Sequence, residues 1–125
     1  MKFLSSKTHT IIGLIVGAAL IVAPWLFGFA DVGGAAVMVP IFVGIFILLS
    51  ELTTTSPVSF VKLVPMNIHI IMDVLTGLFL LASPWIFGFA DLEANAWVPH
   101  VVVGVLIVGY ALMTRTSDEK ASIAE

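Results

Sequence analysis

Four long apolar runs, separated by short polar breaks, make up most of the chain. They cover residues 8–29, 34–52, 66–89 and 94–113. Each is close to the roughly 20 residues that a helix needs to cross a hydrocarbon core of about 30 Å. Val and Ile are common, but apolar and polar positions do not alternate with a period of two. A membrane barrel would also need more strands than this chain can supply. The pattern predicts an all-α integral membrane protein, a four-helix bundle built from two tandem helical hairpins.

The two hairpins are copies. Residues 23–31 read Ala-Pro-Trp-Leu-Phe-Gly-Phe-Ala-Asp, and residues 83–91 read Ser-Pro-Trp-Ile-Phe-Gly-Phe-Ala-Asp. An offset of 60 aligns Pro24 with Pro84, Trp25 with Trp85 and Asp31 with Asp91. It also aligns His9 with His69, Gly17 with Gly77, Leu20 with Leu80, Ala36 with Ala96 and Gly44 with Gly104. The expected organisation is a first two-helix repeat over residues 1–52, a linker over 53–65, a second repeat over 66–114 and a polar tail over 115–125. Each repeat holds an even number of spans, so both copies share one orientation and their pseudo-symmetry axis runs along the membrane normal.

Composition agrees with a membrane setting. Of 125 residues 60% are hydrophobic and 10% charged, and the mean hydropathy is +1.17. A soluble surface needs more charge than that. The net charge of −3 offers no field for nucleic acid. With no cysteine, disulfides, thiolate chemistry and Cys-ligated metals are excluded.

The basic residues set the expected orientation. Lys2 and Lys7 precede the first helix, Lys62 lies in the linker, and Arg115 and Lys120 follow the fourth helix. The two opposite turns carry Asp31, Asp91 and Glu93 and no basic residue. The positive-inside rule then puts both termini and the linker in the cytoplasm. The first run, with its preceding lysines, has the look of a signal peptide. Its recurrence in mid-chain favours a mature helix. In the linker, Thr55-Ser56-Pro57 signals a turn. Phe60, Val61, Leu63 and Val64 are apolar enough to lie at the headgroup level.

The repeated stretch has a physical reading of its own. Proline removes a backbone hydrogen bond and crowds the carbonyl four residues back, which predicts a bend near Leu20 and Leu80. Ser83 can ease that defect by bonding a nearby carbonyl; Ala23 cannot. Trp25, Phe27, Phe29, Trp85, Phe87, Phe89 and Trp97 are expected at one depth as an aromatic belt. Gly28 and Gly88 let the chain turn, and Asp31 and Asp91 are placed to cap the helices that follow. Ser83-Pro84-Trp85, with Ala23-Pro24-Trp25 as its variant, resembles the signature of the SPW-repeat family of small prokaryotic membrane proteins. The resemblance spans about residues 8–50 and 68–110. It implies two-helix repeats in a membrane and no particular reaction.

Ionisable residues inside spans are costly and point to a role. His69 and Asp73 are four apart and share a helix face. They form either a proton or cation relay or a pair that orients the third helix. The place equivalent to Asp73 in the first copy is Gly13, so the acid is not duplicated. His100 reads as an interfacial residue at the opposite side from His9 and His69. Glu51 ends the second helix, where the dipole disfavours an acid, and a surface contact with Lys7 or Lys62 would relieve it. Gly13 and Gly17 form a small-residue face suited to close helix packing. No nucleophile with a base, phosphate loop or paired-carboxylate site is present.

These features predict no catalytic, cofactor or metal site and no enzyme activity. The leading reading is a non-catalytic structural or accessory membrane subunit, in contact with lipid and packed against itself or a larger complex. The alternative is a small transporter or channel component using His69 and Asp73. Orientation is open to direct test by single cysteines in this cysteine-free chain, at Ser6→Cys, Ser59→Cys, Glu93→Cys and Ser117→Cys. A membrane-impermeant thiol reagent added to intact cells should label only Glu93→Cys. Labelling of Ser59→Cys or Ser117→Cys would reverse the topology.

Overall fold

A computed structural model describes residues 4–114. Lys2, Arg115, Lys120 and the polar tail over 115–125 lie outside the described residues. Four helices follow in order: α1 Ser6–Leu26, α2 Gly34–Leu52, α3 Met66–Ile86 and α4 Ala94–Leu112. All four are long and apolar enough to cross a membrane. At 1.5 Å per residue they reach about 30 Å, the thickness of the hydrocarbon core. Their outward faces carry Ile15, Leu26, Phe42, Leu49, Leu75 and Val105, all exposed. Such a surface suits acyl chains and not water. Leu20, Val43, Ile47, Leu80 and Ile107 form the buried centre.

Each hairpin packs most closely within itself, α1 on α2 and α3 on α4. The two hairpins are then tied at their open ends by crossed backbone contacts. The Leu4 N–H donates to the carbonyl of Met113 at 2.9 Å, and the Val64 N–H donates to that of Thr53 at 2.9 Å. Leu4 thereby pairs with Thr114, and Thr54 with Val64. These are the same pairing, related by the repeat offset, with each helix start joined to the other hairpin's end. The linker, the start of α1 and the end of α4 thus gather at one end. The turns over 27–33 and 87–93 lie at the other, where the Asn95 side chain donates to the Phe27 carbonyl at 2.9 Å.

The repeated Pro-Trp stretch ends α1 and α3. Both helices continue through Pro24 and Pro84 and stop two residues later. Gly28 and Gly88 then take φ of 75°, a left-handed conformation open to glycine. The Phe29 N–H reaches back to the Pro24 carbonyl at 2.8 Å, and the Phe89 N–H to that of Pro84 at 2.7 Å. This is the six-to-one bond of a glycine-terminated helix, which normally brings an apolar residue inward after the glycine. Phe29 and Phe89 are accordingly buried, whereas Trp25 and Trp85 are 64% and 60% exposed. Phe29 and Phe89 therefore do not share the exposed position expected for all the aromatic residues of this stretch. Phe27 and Phe87 are about half exposed, and Trp85 and Trp97 meet edge to face. The Ser83 hydroxyl donates to the Leu80 carbonyl at 2.7 Å, the group that Pro84 leaves without its helical donor.

Asp31 and Asp91 do not cap the following helices. Asp31 lies in a short 3-10 turn over Ala30–Val32, which moves Gly33 into the capping position. Glu93 precedes α4, and neither helix has a side-chain capping bond. Both aspartates are exposed at the turns.

Close packing within each hairpin depends on paired glycines. A Cβ on Gly44 would fall 2.6 Å from the Gly17 carbonyl oxygen, and one on Gly104 would fall 2.7 Å from that of Gly77. The opposing atoms are backbone and have no room to move. Gly109 faces open space. Gly44→Ala and Gly104→Ala should therefore each destabilise the protein by about 1–3 kcal/mol, the usual cost of overpacking. Gly109→Ala should be near neutral. Thermal unfolding in detergent checks this, and equal behaviour of all three variants would refute the paired-glycine contact.

Candidate functional site: a buried histidine–carboxylate cluster

The linker end of the bundle contains the densest polar chemistry in the protein. His9 comes from α1, Glu51 from α2, and His69 and Asp73 from α3. All four are buried, between 0% and 2% exposed. His9 Nε2 lies 2.7 Å from Asp73 Oδ2 and 3.4 Å from Glu51 Oε1. His69 Nε2 lies 2.6 Å from Glu51 Oε1 and 3.1 Å from Asp73 Oδ2. The two carboxylate oxygens thus each face both imidazole nitrogens, in a ring of four. The imidazole planes are nearly perpendicular, at 82°.

Two threonines fix the histidines from behind. His9 Nδ1 lies 2.7 Å from the Thr114 hydroxyl, and His69 Nδ1 lies 2.5 Å from that of Thr54. Each hydroxyl donates its proton to the carbonyl four residues back, Thr114 to Tyr110 and Thr54 to Ser50, at 2.6 Å in both cases. With that proton committed, each threonine oxygen accepts from Nδ1–H. Both Nε2 atoms are thereby turned to the carboxylates. The arrangement is crossed, because each histidine is held by the other hairpin's threonine. Thr54 and Thr114 are themselves 60 apart, so the supporting residues are duplicated with the histidines.

The His69–Asp73 pair expected from the sequence is present, but it is half of the site. Glu51 makes no surface contact with Lys7 or Lys62. It is buried, because its carboxylate enters the space that Gly13 leaves open. A Cβ on Gly13 would fall 2.5 Å from Glu51 Cδ. Gly13 is the repeat counterpart of Asp73, and Ala111, fully buried, is that of Glu51. The second acid of the pseudo-symmetric site is therefore supplied from a different helix. Spacing along one helix cannot reveal this. The readable signals were a lone acid ending an apolar run and the 60-residue offset of two histidines and two threonines.

The linker closes over this cluster. The Ser56 hydroxyl meets that of Thr10 at 2.7 Å, and the Ser59 hydroxyl donates to the Glu51 carbonyl at 2.5 Å. Lys62 Nζ donates to the carbonyls of Ser56 and Ser59 at 2.7 and 2.9 Å. Two buried polar atoms beside the cluster have no hydrogen-bond partner among the described residues. They are Glu51 Oε2 and the hydroxyl of Tyr110, whose ring packs edge-on against His9 with centroids 5.0 Å apart.

His100 lies at the other end of the bundle and is enclosed there by protein. It is 1% exposed, lies between the rings of Phe29 and Phe89, and donates from Nε2 to the Ala36 carbonyl at 2.9 Å. Residue 40, which would normally bond that carbonyl in α2, is a proline and has no N–H. His100 thus completes a backbone bond across the hairpins, where burial in the bundle excludes water.

No curated protein and no solved structure matches the chain. The model of the SPW repeat domain matches residues 7–114, a span that holds both proline-tryptophan stretches and all four cluster residues. With that match covering four apolar helices in two hairpin copies, the chain belongs to the SPW repeat family.

Proposed function

We propose that this membrane protein is a non-catalytic structural or accessory subunit of a prokaryotic cytoplasmic membrane, with its histidine–carboxylate cluster acting as the clamp of the bundle. The observation that carries this reading is the crossed bonding of the cluster. His9, Glu51 and the His69–Asp73 pair come from α1, α2 and α3, and Thr114 follows α4. One polar knot therefore joins all four helices at one end. Breaking a buried charge pair by removing one partner costs about 3–5 kcal/mol, which gives such a knot its hold.

Transport is the second reading, favoured by the ionisable groups within spans. A relay needs polar groups that continue across the membrane. Ser6, Thr10, Ser50, Thr54, Ser56, Ser59 and Thr114 are buried at the cluster end itself; towards the turns, the buried polar side chains among the described residues are Ser83 and His100. Both are bonded to backbone carbonyls. From Asp73 to Ser83 the helix climbs about 15 Å. Leu20, Val43, Ile47, Leu80 and Ile107 fill the buried centre. That favours the clamp over the relay.

Orientation follows the described charges. Lys7 and Lys62 lie at the cluster end, and Asp31, Asp91 and Glu93 at the turns. The cluster end then faces the cytoplasm together with both termini. The exposed apolar faces meet lipid, a second copy or a larger membrane complex.

Reconstituted vesicles separate the two readings. Proton and cation flux should stay at background for the wild type and for Asp73→Asn, while Asp73→Asn lowers thermal stability by several kcal/mol through loss of the charge partner. Wild-type flux that Asp73→Asn abolishes, with its helices intact by circular dichroism, would replace the structural reading with the transport one.

A further inference from the structure

We propose that His9, Glu51, His69 and Asp73 form a binding site for one divalent first-row transition-metal ion, with Zn²⁺ as the prototype. The four candidate ligand atoms, two Nε2 and two carboxylate oxygens, all lie within 4.8 Å of one another. Zinc bonds of about 2.0–2.1 Å in a tetrahedron separate ligands by about 3.3 Å. The cluster's closest approaches run from 2.6 to 3.4 Å. Opening the shorter contacts by several tenths of an ångström makes room for an ion at the centre.

The surroundings have the features of a metal site. Each histidine is held through Nδ1 by a threonine hydroxyl, which aims Nε2 inward. An outer hydrogen bond of this kind orients most metal-binding histidines. Glu51 Oε2 is buried with no partner among the described residues. It is the free second oxygen of a ligand carboxylate and can widen the coordination to five. Gly13 supplies the space in which that carboxylate sits.

Charge and ligand type select the ion. Two carboxylates and two neutral imidazoles balance a dication, so a loaded site is neutral inside an apolar bundle, where net charge is expensive. Mixed imidazole and carboxylate donors suit Zn²⁺ and its neighbours. Mg²⁺ and Ca²⁺ prefer all-oxygen sites, and Cu⁺ prefers sulfur. The ion would act as a structural staple, with four protein ligands and no open position. This goes beyond the clamp reading and does not depend on the absence of transport, because metal content and vesicle flux are separate measurements.

The test uses the full chain, purified in detergent without a polyhistidine tag and stripped with a chelator. After Zn²⁺ loading and gel filtration, elemental analysis should find about one zinc per chain, and the melting temperature should rise. Mg²⁺ should do neither. Co²⁺ loading should give the intense visible bands of a tetrahedral site. Glu51→Gln and His69→Gln should lose retained zinc. Thr54→Val and Thr114→Val, which keep all four ligands, should bind about 10–100-fold more weakly. His100→Gln should retain zinc. A wild type that keeps no zinc, or weak octahedral cobalt bands, would overturn the proposal even if every variant failed to fold. Equal zinc retention by folded Glu51→Gln would also overturn it.

Discussion

Placing four ionisable side chains inside an apolar bundle is possible only if they satisfy one another, and the rest of the structure is arranged to let them. His9, Glu51, His69 and Asp73 come from three helices and are nearly inaccessible to solvent. An unpaired charge there would be expensive, since neither lipid nor helix backbone offers it a partner. Their mutual contacts require α1, α2 and α3 to converge at one end. Thr54 and Thr114 require the ends of α2 and α4 to reach across to the opposite hairpin. The crossed backbone pairs at Leu4–Thr114 and Thr54–Val64 bring them there. The linker completes the enclosure through Ser56, Ser59 and Lys62.

The same demand for satisfied polar groups explains the other end of the molecule. Prolines within spans leave carbonyls without their helical donors. In α3 the loss is repaired locally, by Ser83 on Leu80. In α2 it is repaired from the other hairpin, by His100 on Ala36. His100 is the repeat counterpart of Pro40. One copy thus carries the defect and the other copy carries its repair at the same position. The acids show the same division, with Asp73 opposite Gly13 and Glu51 opposite Ala111. The two halves are thus joined by duplicated bonds, from each histidine to the other hairpin's threonine, and by the bonds of Asp73, Glu51 and His100, which depend on differences between the copies.

Much of the architecture was legible in the sequence. Four apolar runs of membrane-spanning length became four helices, with ends within three residues of those expected from the pattern. Hydrophobic length is a local property, and a bilayer imposes one thickness on every span. The duplication was equally plain, because an offset of 60 needs no knowledge of contacts. The turns at Gly28 and Gly88 and the repair of Leu80 by Ser83 also follow from local chemistry. Within the site, His69 and Asp73 could be paired because a helix brings residues four apart onto one face.

What the tertiary structure decided was everything that depends on one helix meeting another. Glu51 looked like a surface acid because its own helix offers it no partner. Its burial follows from the gap at Gly13 on α1. The bond of His100 to Ala36 was hidden because its place near the start of α4 says nothing of Pro40 on α2. Phe29 and Phe89 looked like belt residues until the left-handed glycines turned them inward. The sequence determined the spans, the repeat and half of the polar cluster, the His69–Asp73 pair, since these rest on hydropathy and spacing along one chain segment. The closure of the cluster by His9 and Glu51 and its crossed threonines came from packing, because these bonds join side chains up to 105 positions apart.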